Sequence, residues 1–299
     1  MTTESEKTWT ILDVLKWSEN FLAQKGVASP KHDAEILLSF VLGLPRLELY
    51  LHFDKPLTLA ERQKYKELLR RRAAREPVQY ITGEAWFMGQ CFRTARDVLI
   101  PRYDTEILAE TVLQQLAKHP EVTAVADIGT GSGILPVIFA QKTTLAKIYA
   151  LDISPAALAL AKQNALAHNV AEKIEFLESD LLAALIHQPI DNIFLVANPP
   201  YVSPAEYLQL APEVKDYEPR LALLAEDDGL FFYKKILAQS ALFGGQLRGV
   251  FFEVGWQQSA AVSELLRKRF DAPVEIVRDL GGNSRVVYTL LGAGDFQDV

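Results

Sequence analysis

The tetrapeptide Asn198-Pro199-Pro200-Tyr201 follows an apolar run, Ile193 to Ala197, and holds groups suited to grip a planar nitrogen. In an amide or conjugated amine the nitrogen lone pair is delocalised, so reaction there depends on holding the nitrogen in line with its electrophile at near-attack distance. The Asn198 side-chain oxygen and a carbonyl of the rigid prolyl pair can accept its two N–H bonds, and Tyr201 offers the planar group a flat face. No strong base is needed, because the nitrogen becomes acidic as it takes a new substituent. Alone, Asn-Pro reads as an ordinary turn. Asn198, Pro199, Pro200 and Tyr201 are therefore candidate catalytic residues provided that a reactive ligand stands beside them.

A second motif supplies that ligand. Val125 to Ile128 lead into Gly129-Thr130-Gly131-Ser132-Gly133, a glycine loop opening a helix. Glycines let backbone turn tightly and approach a ligand, and a helix amino terminus favours acceptor atoms. The loop reads G-x-G-x-G with apolar Ile134 next, which departs from the G-x-G-x-x-G of dinucleotide sites. Asp127, ending the strand, would repel a pyrophosphate; it suits a cationic amino-acid end such as that of S-adenosyl-L-methionine, which carries an ammonium and a sulfonium but no phosphate. Asp152 ends the next strand, where a carboxylate can accept both ribose hydroxyls. Asp180, in Glu178-Ser179-Asp180-Leu181, can accept the adenine amino group while Leu181 packs on the ring. Each aspartate alone is a cap or turn former. In this order on successive strand ends they read as a methyltransferase cofactor site of Asp127, Gly129, Thr130, Gly131, Ser132, Gly133, Asp152, Asp180, Leu181 and Asn198.

The elements that must position these groups are legible in the periodicity. From Thr10 to about Glu76 the text is helical, closing one segment at Gly43 and Pro45 and running another from Leu59 to Arg75. That last helix is basic, with Arg62, Lys64, Lys66, Arg70, Arg71, Arg72 and Arg75, and reads either as a solvated face or as a docking surface for an acidic partner or RNA. Gln79 to Ile100, punctuated by Gly83 and Gly89, predicts a short hairpin. Seven strands are then expected at about 122–128, 147–151, 174–177, 190–197, 246–254, 274–278 and 285–290, with helices between the first six. This predicts an α/β fold, a doubly wound seven-stranded sheet whose last strand, joined only by a turn, runs antiparallel. The expected division is a helical docking domain over 1–77, a hairpin linker over 78–100 and a catalytic domain over 101–299.

Composition narrows the function classes. A chain of 299 residues with a formal net charge of -7 disfavours tight, stable binding to nucleic acid. The single cysteine, Cys91, read as a small buried side chain, excludes an internal disulfide and fits a reducing cytoplasm. No apolar stretch approaches the roughly 20 residues of a membrane span, and the start lacks a secretory pattern, so no membrane partner is expected. His32, His52, His119, His168 and His187 show no paired metal spacing, and no metal is expected.

The sequence resembles the peptide-chain release factor glutamine methyltransferases of the PrmC/HemK type. Besides the glycine loop and Asn198 to Tyr201, the resemblance rests on Arg75 to Ile81 with Gly83-Glu84, on Ile100-Pro101-Arg102 with Asp104-Thr105-Glu106, on Tyr217-Glu218-Pro219-Arg220, on Asp228-Gly229-Leu230 and on Glu253 to Gln258. It implies a helical amino-terminal domain, a class I (Rossmann-like) methyltransferase domain, and methyl transfer from S-adenosyl-L-methionine to the glutamine amide of the Gly-Gly-Gln motif in class I peptide chain release factors. Tyr103, Leu224-Ala225-Glu226 and Gly282-Asn283-Ser284-Arg285 depart from the family's usual text without removing a candidate catalytic atom. Gly244-Gly245-Gln246 spells the substrate motif but sits between a helix and a strand, as a connecting turn does. The rival readings are a glutamine methyltransferase for a ribosomal protein, a DNA adenine methyltransferase, which would need a target-recognition region, and a non-catalytic S-adenosylmethionine-binding module, which would leave Asn198 to Tyr201 without a task.

Overall fold

The computed structural model describes residues 8–186, 188, 190–292 and 294–295. The chain forms two compact units, Met1–Gly83 with Ala211–Tyr217, and Glu84–Leu210 with Glu218–Val299.

The first unit is helical: Ile11–Gln24, Pro30–Leu42, Arg46–Leu51, Leu59–Ala73 and Val78–Thr82. Thr10 with Asp13, and Thr58 with Glu61, form capping boxes that satisfy the first amides of two of these helices. Leu22, Leu37, Leu38, Leu49 and Tyr65 fill its core. The helix Pro30–Leu42 closes at Gly43 as expected, and Pro45, just beyond, also caps the start of Arg46–Leu51. One expectation is corrected. Val78–Thr82, expected in the hairpin, is helical, because Val78 and Ile81 turn one face into this core.

The basic helix is also reinterpreted. Arg72 is buried, its Nε 2.7 Å from Asp33 Oδ2 and its Nη2 3.0 Å from Glu213 Oε1. Arg75 Nε donates to the same Glu213 at 2.7 Å, and Arg71 pairs with Glu76 at 2.8 Å. Burial works to raise the Glu213 carboxyl pKa, but the hydrogen bonds from Arg75 and Arg72, with its own backbone amide, outweigh it and bring it down to about 2. Arg71, Arg72 and Arg75 thus clasp the 211–217 segment and the unit's interior, leaving Lys64, Lys66 and Arg70 on the exposed face.

In the second unit, β1 (Glu84–Phe87) and β2 (Gln90–Arg93) form the antiparallel hairpin. It is not a linker. Phe87 and Phe92 pack into the core with Leu108 and Val112, while the buried Asn164 amide bonds Arg93 on β2 and the Ser132 carbonyl in the glycine loop, at 2.8–3.0 Å. Strand alternation that turns Phe92 inward turns Cys91 outward, so this cysteine is exposed rather than buried.

The main sheet holds β3 (Ala124–Ile128), β4 (Lys147–Asp152), β5 (Ile174–Glu178), β6 (Ile193–Ala197), β7 (Leu247–Glu253), β8 (Val274–Arg278) and β9 (Ser284–Leu290). Their order is β5-β4-β3-β6-β7-β9-β8, with only β9 antiparallel to its neighbours. Along β6, Ile193, Leu195 and Ala197 face one core and Phe194 and Val196 the other, so the strand is apolar throughout. Gly244-Gly245-Gln246 is the turn leading into β7. Among the described residues no helix is long and apolar enough to cross a membrane.

Replacing Arg72 by alanine leaves Asp33 buried without its arginine and leaves Glu213 held by Arg75 alone. We expect a loss of about 3–5 kcal/mol in urea unfolding of the full chain, seen as an early transition of the helical unit, whereas Lys66→Ala should change nothing measurable.

Candidate active site

In this strand order the chain reverses direction of growth between β3 and β6, and a crevice opens beyond the carboxyl ends of those two strands. Ile128 pairs with Ala197, so the glycine loop and Asn198 leave the sheet side by side. Ile128 also pairs with Leu151, whose carbonyl accepts the Gly129 and Thr130 amides at 2.8 Å, and this brings Asp152 alongside. The resulting cavity is lined by Asp127, Gly129 to Ser132, Asp152, Asp180, Leu181 and Asn198 to Pro200. Gly133 stands just behind the wall. Its φ is +77°, and a Cβ there would lie 2.8 Å from the Ala161 Cβ, so only glycine lets the helix Ile134–Lys142 start so close to Pro155–Ala167. Tyr201 packs at the rear against the core.

Charge decides what the cavity accepts. Asp127 is buried, and burial, with the Asp152 charge adding to it against a weaker pull from the Thr130 hydroxyl, pushes its pKa up to about 7. Burial likewise raises the Asp152 pKa, opposed by amides including Ser154 and Gly131, which donate to its two oxygens at 2.9 Å. A carboxylate has about four lone-pair sites, so both oxygens can still accept another bond. Asp180 is exposed and pairs with Lys235 at 2.8 Å. Among the described residues lining the cavity the one basic side chain is Arg102, and it is bound to the buried Glu218. A crevice with buried acids and no free cation repels phosphate and suits a nucleoside with a cationic end. Burial raises the Tyr201 hydroxyl far above its ordinary pKa, so it stays neutral at ordinary pH.

Comparison with known proteins fixes the family. Residues 13–83 match the PrmC N-terminal domain and residues 103–213 the methyltransferase small domain. The release factor glutamine methyltransferase of Chlorobaculum tepidum is 40% identical over 282 residues, covering 92% of this chain and 95% of its own. That of Geobacter sulfurreducens is 39% identical over 290 residues, covering 97% and 100%. The chain belongs to the release factor glutamine methyltransferase family. Among solved structures, the N-terminal domain of human METTL16 superposes with a TM-score of 0.52 at 19% identity, covering 82% of this chain and 87% of that one, a likeness of fold alone.

The family's text outside the Asn-Pro-Pro-Tyr loop has a physical task here. Glu218 accepts the Ile100 amide at 3.2 Å and holds Arg102, so one block fixes another at the cavity wall. Gln258 Nε2 donates to the Tyr201 carbonyl at 2.9 Å, and its Oε1 accepts the Gly255 amide at 3.2 Å. Much of the lining was not among the candidates, Ile153, Val98 and Thr105 included. Ile153, an exposed apolar residue directly after Asp152, and Val98, before the Ile100 block, were findable by position. Thr105 was not: its hydroxyl donates to Glu253 at 2.7 Å and accepts from Asn198 Nδ2 at 3.1 Å, across gaps of 148 and 93 residues. Among the described residues no group of three or more His, Cys, Asp or Glu is placed to hold a metal; His187 lies outside them.

The Asp127 pKa has a stability consequence. Unfolded, its carboxyl titrates near 4; folded, near 7, so the penalty of burying its charge is absent below about pH 4 and complete above about pH 7. Asp127→Asn removes it. The mutant's melting temperature should exceed the parent's at pH 8 by several degrees, with the gap shrinking towards pH 5; a gap independent of pH would show that Asp127 does not titrate in this window.

Proposed function

We propose that this enzyme transfers a methyl group from S-adenosyl-L-methionine to the side-chain amide nitrogen of the glutamine in the Gly-Gly-Gln motif of class I peptide chain release factors, in the cytoplasm. The observation that carries this reading is the placement of Asn198-Pro199-Pro200-Tyr201 beside an acid-lined cavity, whose one basic side chain among the described residues, Arg102, is bound to Glu218, at the switch point of the sheet. The names of the relatives favour a release factor over a ribosomal protein as the substrate.

When bound, the donor supplies an electrophilic methyl on a sulfonium. Asp127 would pair with its ammonium, Asp152 would accept the ribose hydroxyls, and Ile153 and Leu181 would flank the adenine. Asp180 would need to share its carboxylate between the adenine amino group and Lys235. On the other side, Asn198 Oδ1 and a prolyl carbonyl accept the two N–H bonds of the glutamine amide, drawing electron density towards its nitrogen while Tyr201 backs its plane. A nitrogen–carbon bond forms as the sulfur–carbon bond breaks, and the nitrogen releases one proton to water. The Tyr201 phenol, neutral at working pH, takes no part in that transfer.

A tripeptide offers few contacts, so selecting one glutamine among all cellular proteins requires a second surface that adds affinity and orientation. The exposed bases of the helix Leu59–Ala73, Lys64, Lys66 and Arg70, are assigned to it in place of the buried Arg72.

Mass spectrometry of purified release factor incubated with enzyme and donor should show a gain of one CH2 on the motif glutamine, and none when Asn198 is alanine, although donor affinity is kept. A modified residue elsewhere would defeat the reading. Donor binding near pH 7 should release a proton, because pairing with an ammonium lowers the Asp127 pKa; calorimetry in buffers of different ionisation enthalpy reads this, and Asp127→Asn should abolish it. Lys66→Glu with Arg70→Glu should raise KM for intact factor at low salt, and high salt should close the gap.

A further inference from the structure

An asparagine amide is nearly symmetric in shape but opposite in polarity at its two ends, so the proposed reaction depends on which end faces the substrate. If the NH2 group faced the accepting nitrogen, donor would meet donor and one of its two N–H bonds would find no acceptor. The loop backbone alone does not decide this. The decision lies behind Asn198, where Nδ2 reaches Thr105 Oγ1 at 3.1 Å and Thr105 Oγ1 reaches Glu253 Oε2 at 2.7 Å. Thr105 and Glu253 are 2% and 1% exposed, so water does not compete for these bonds.

We propose that Thr105 and Glu253 are positioning residues that set the direction of the Asn198 amide, turning its Oδ1 towards the nitrogen to be methylated. The inference rests on the function proposed above. Polarity runs one way along the chain of bonds. An ionised carboxylate can only accept, so the single hydroxyl proton of Thr105 is committed to Glu253. What Thr105 then offers Asn198 is a lone pair, which only the NH2 end can use. With Thr105 and Glu253 shielded from water, such a series holds one orientation; with one member lost, it holds neither.

Protonation of Glu253 would reverse the series. A carboxylic acid can donate to Thr105, whose own proton is then free to meet Oδ1 of a flipped amide. Burial pushes the Glu253 pKa up to about 7, with the Thr105 bond, Arg285 and Arg102 drawing it down and Asp104 adding to the rise. Tyr233 approaches through its hydroxyl, which donates to the Glu253 backbone carbonyl at 2.8 Å, and Tyr201 lies close enough for the carboxylate to raise its pKa. Arg285 is itself shared between Asp104 at 3.0 Å and Asp279 at 2.9 Å. The ionised form of Glu253 is the one that directs Asn198, so turnover at saturating substrates should decline as pH falls through about 7. Asp127 titrates in the same range but acts on donor binding, and therefore on kcat/KM rather than on kcat.

Three variants test the proposal. Thr105→Val keeps the shape and deletes the hydroxyl; kcat should drop about ten- to a hundredfold with the donor dissociation constant changed less than about threefold, and Thr105→Ser should restore most of it. Glu253→Gln should lower kcat at pH 8 and remove the acid limb of the kcat profile. A second readout is independent of turnover. In protein carrying 15N-asparagine, the Asn198 side-chain NH2 resonances should titrate near pH 7 in the parent and not in Glu253→Gln. Full kcat in Thr105→Val, an acid limb that survives in Glu253→Gln, or an Asn198 NH2 signal indifferent to both changes would overturn the proposal. If the parent methylated no release factor, the function reading would fall on its own, and the NMR titration would still decide whether Glu253 directs Asn198.

Discussion

A strand buried on both faces cannot carry polar chemistry until it ends, and that constraint organises this catalytic unit. β6 is apolar from Ile193 to Ala197 because helices and loops cover both sides of the sheet. Its first polar side chain, Asn198, appears where cover stops. β3 and β4 reach the same edge with Asp127 and Asp152. Because the strands are parallel and paired in register, their ends fall together, and the reversal of strand order between β3 and β6 leaves a gap there that no helix fills. The fold thus concentrates its polar groups at the place where a ligand can lie.

Holding those groups requires partners from distant parts of the chain. Asn198 is directed from behind by Thr105 and Glu253, its loop is tied down at Tyr201 by Gln258, and the cavity wall at Ile100 is fixed by Glu218. Buried charge is the common device. Glu218 and Glu253 each sit almost out of contact with water. Such groups contribute little net stability and can oppose it, as the raised Asp127 and Glu253 pKa values indicate. Their presence is better explained by the directionality that they impose than by the energy that they add.

The sequence was most readable where physical chemistry is local. The seven strands announce themselves as short apolar runs bounded by turns, and the candidate residues at their ends follow from the order in which a glycine loop and aspartates, each an ordinary turn former alone, recur on successive strand ends. Helix Val78–Thr82 was misread because five residues rich in β-branched and aromatic side chains look like a strand until their tertiary partners are known. Arg72 was misread for a related reason: a buried arginine and an exposed one are identical in the text, and its partners Asp33 and Glu213 lie 39 and 141 residues away. The hairpin was recognised, but its role as a wall of the catalytic unit depends on Asn164, 71 residues from Arg93. Long-range hydrogen bonds leave no periodic trace.

On the proposed function, Asn198 presents its side-chain oxygen to a glutamine amide across from the acid-lined cavity. A crystal structure of the full chain with S-adenosylhomocysteine and a glutamine-containing Gly-Gly-Gln peptide is the decisive test. The ligand's ammonium should lie against Asp127, its ribose on Asp152, and the glutamine amide nitrogen within about 3 Å of Asn198 Oδ1 and a prolyl carbonyl, in line with the sulfur. A glutamine amide bound away from Asn198, or a ligand whose ammonium lies far from Asp127, would contradict it.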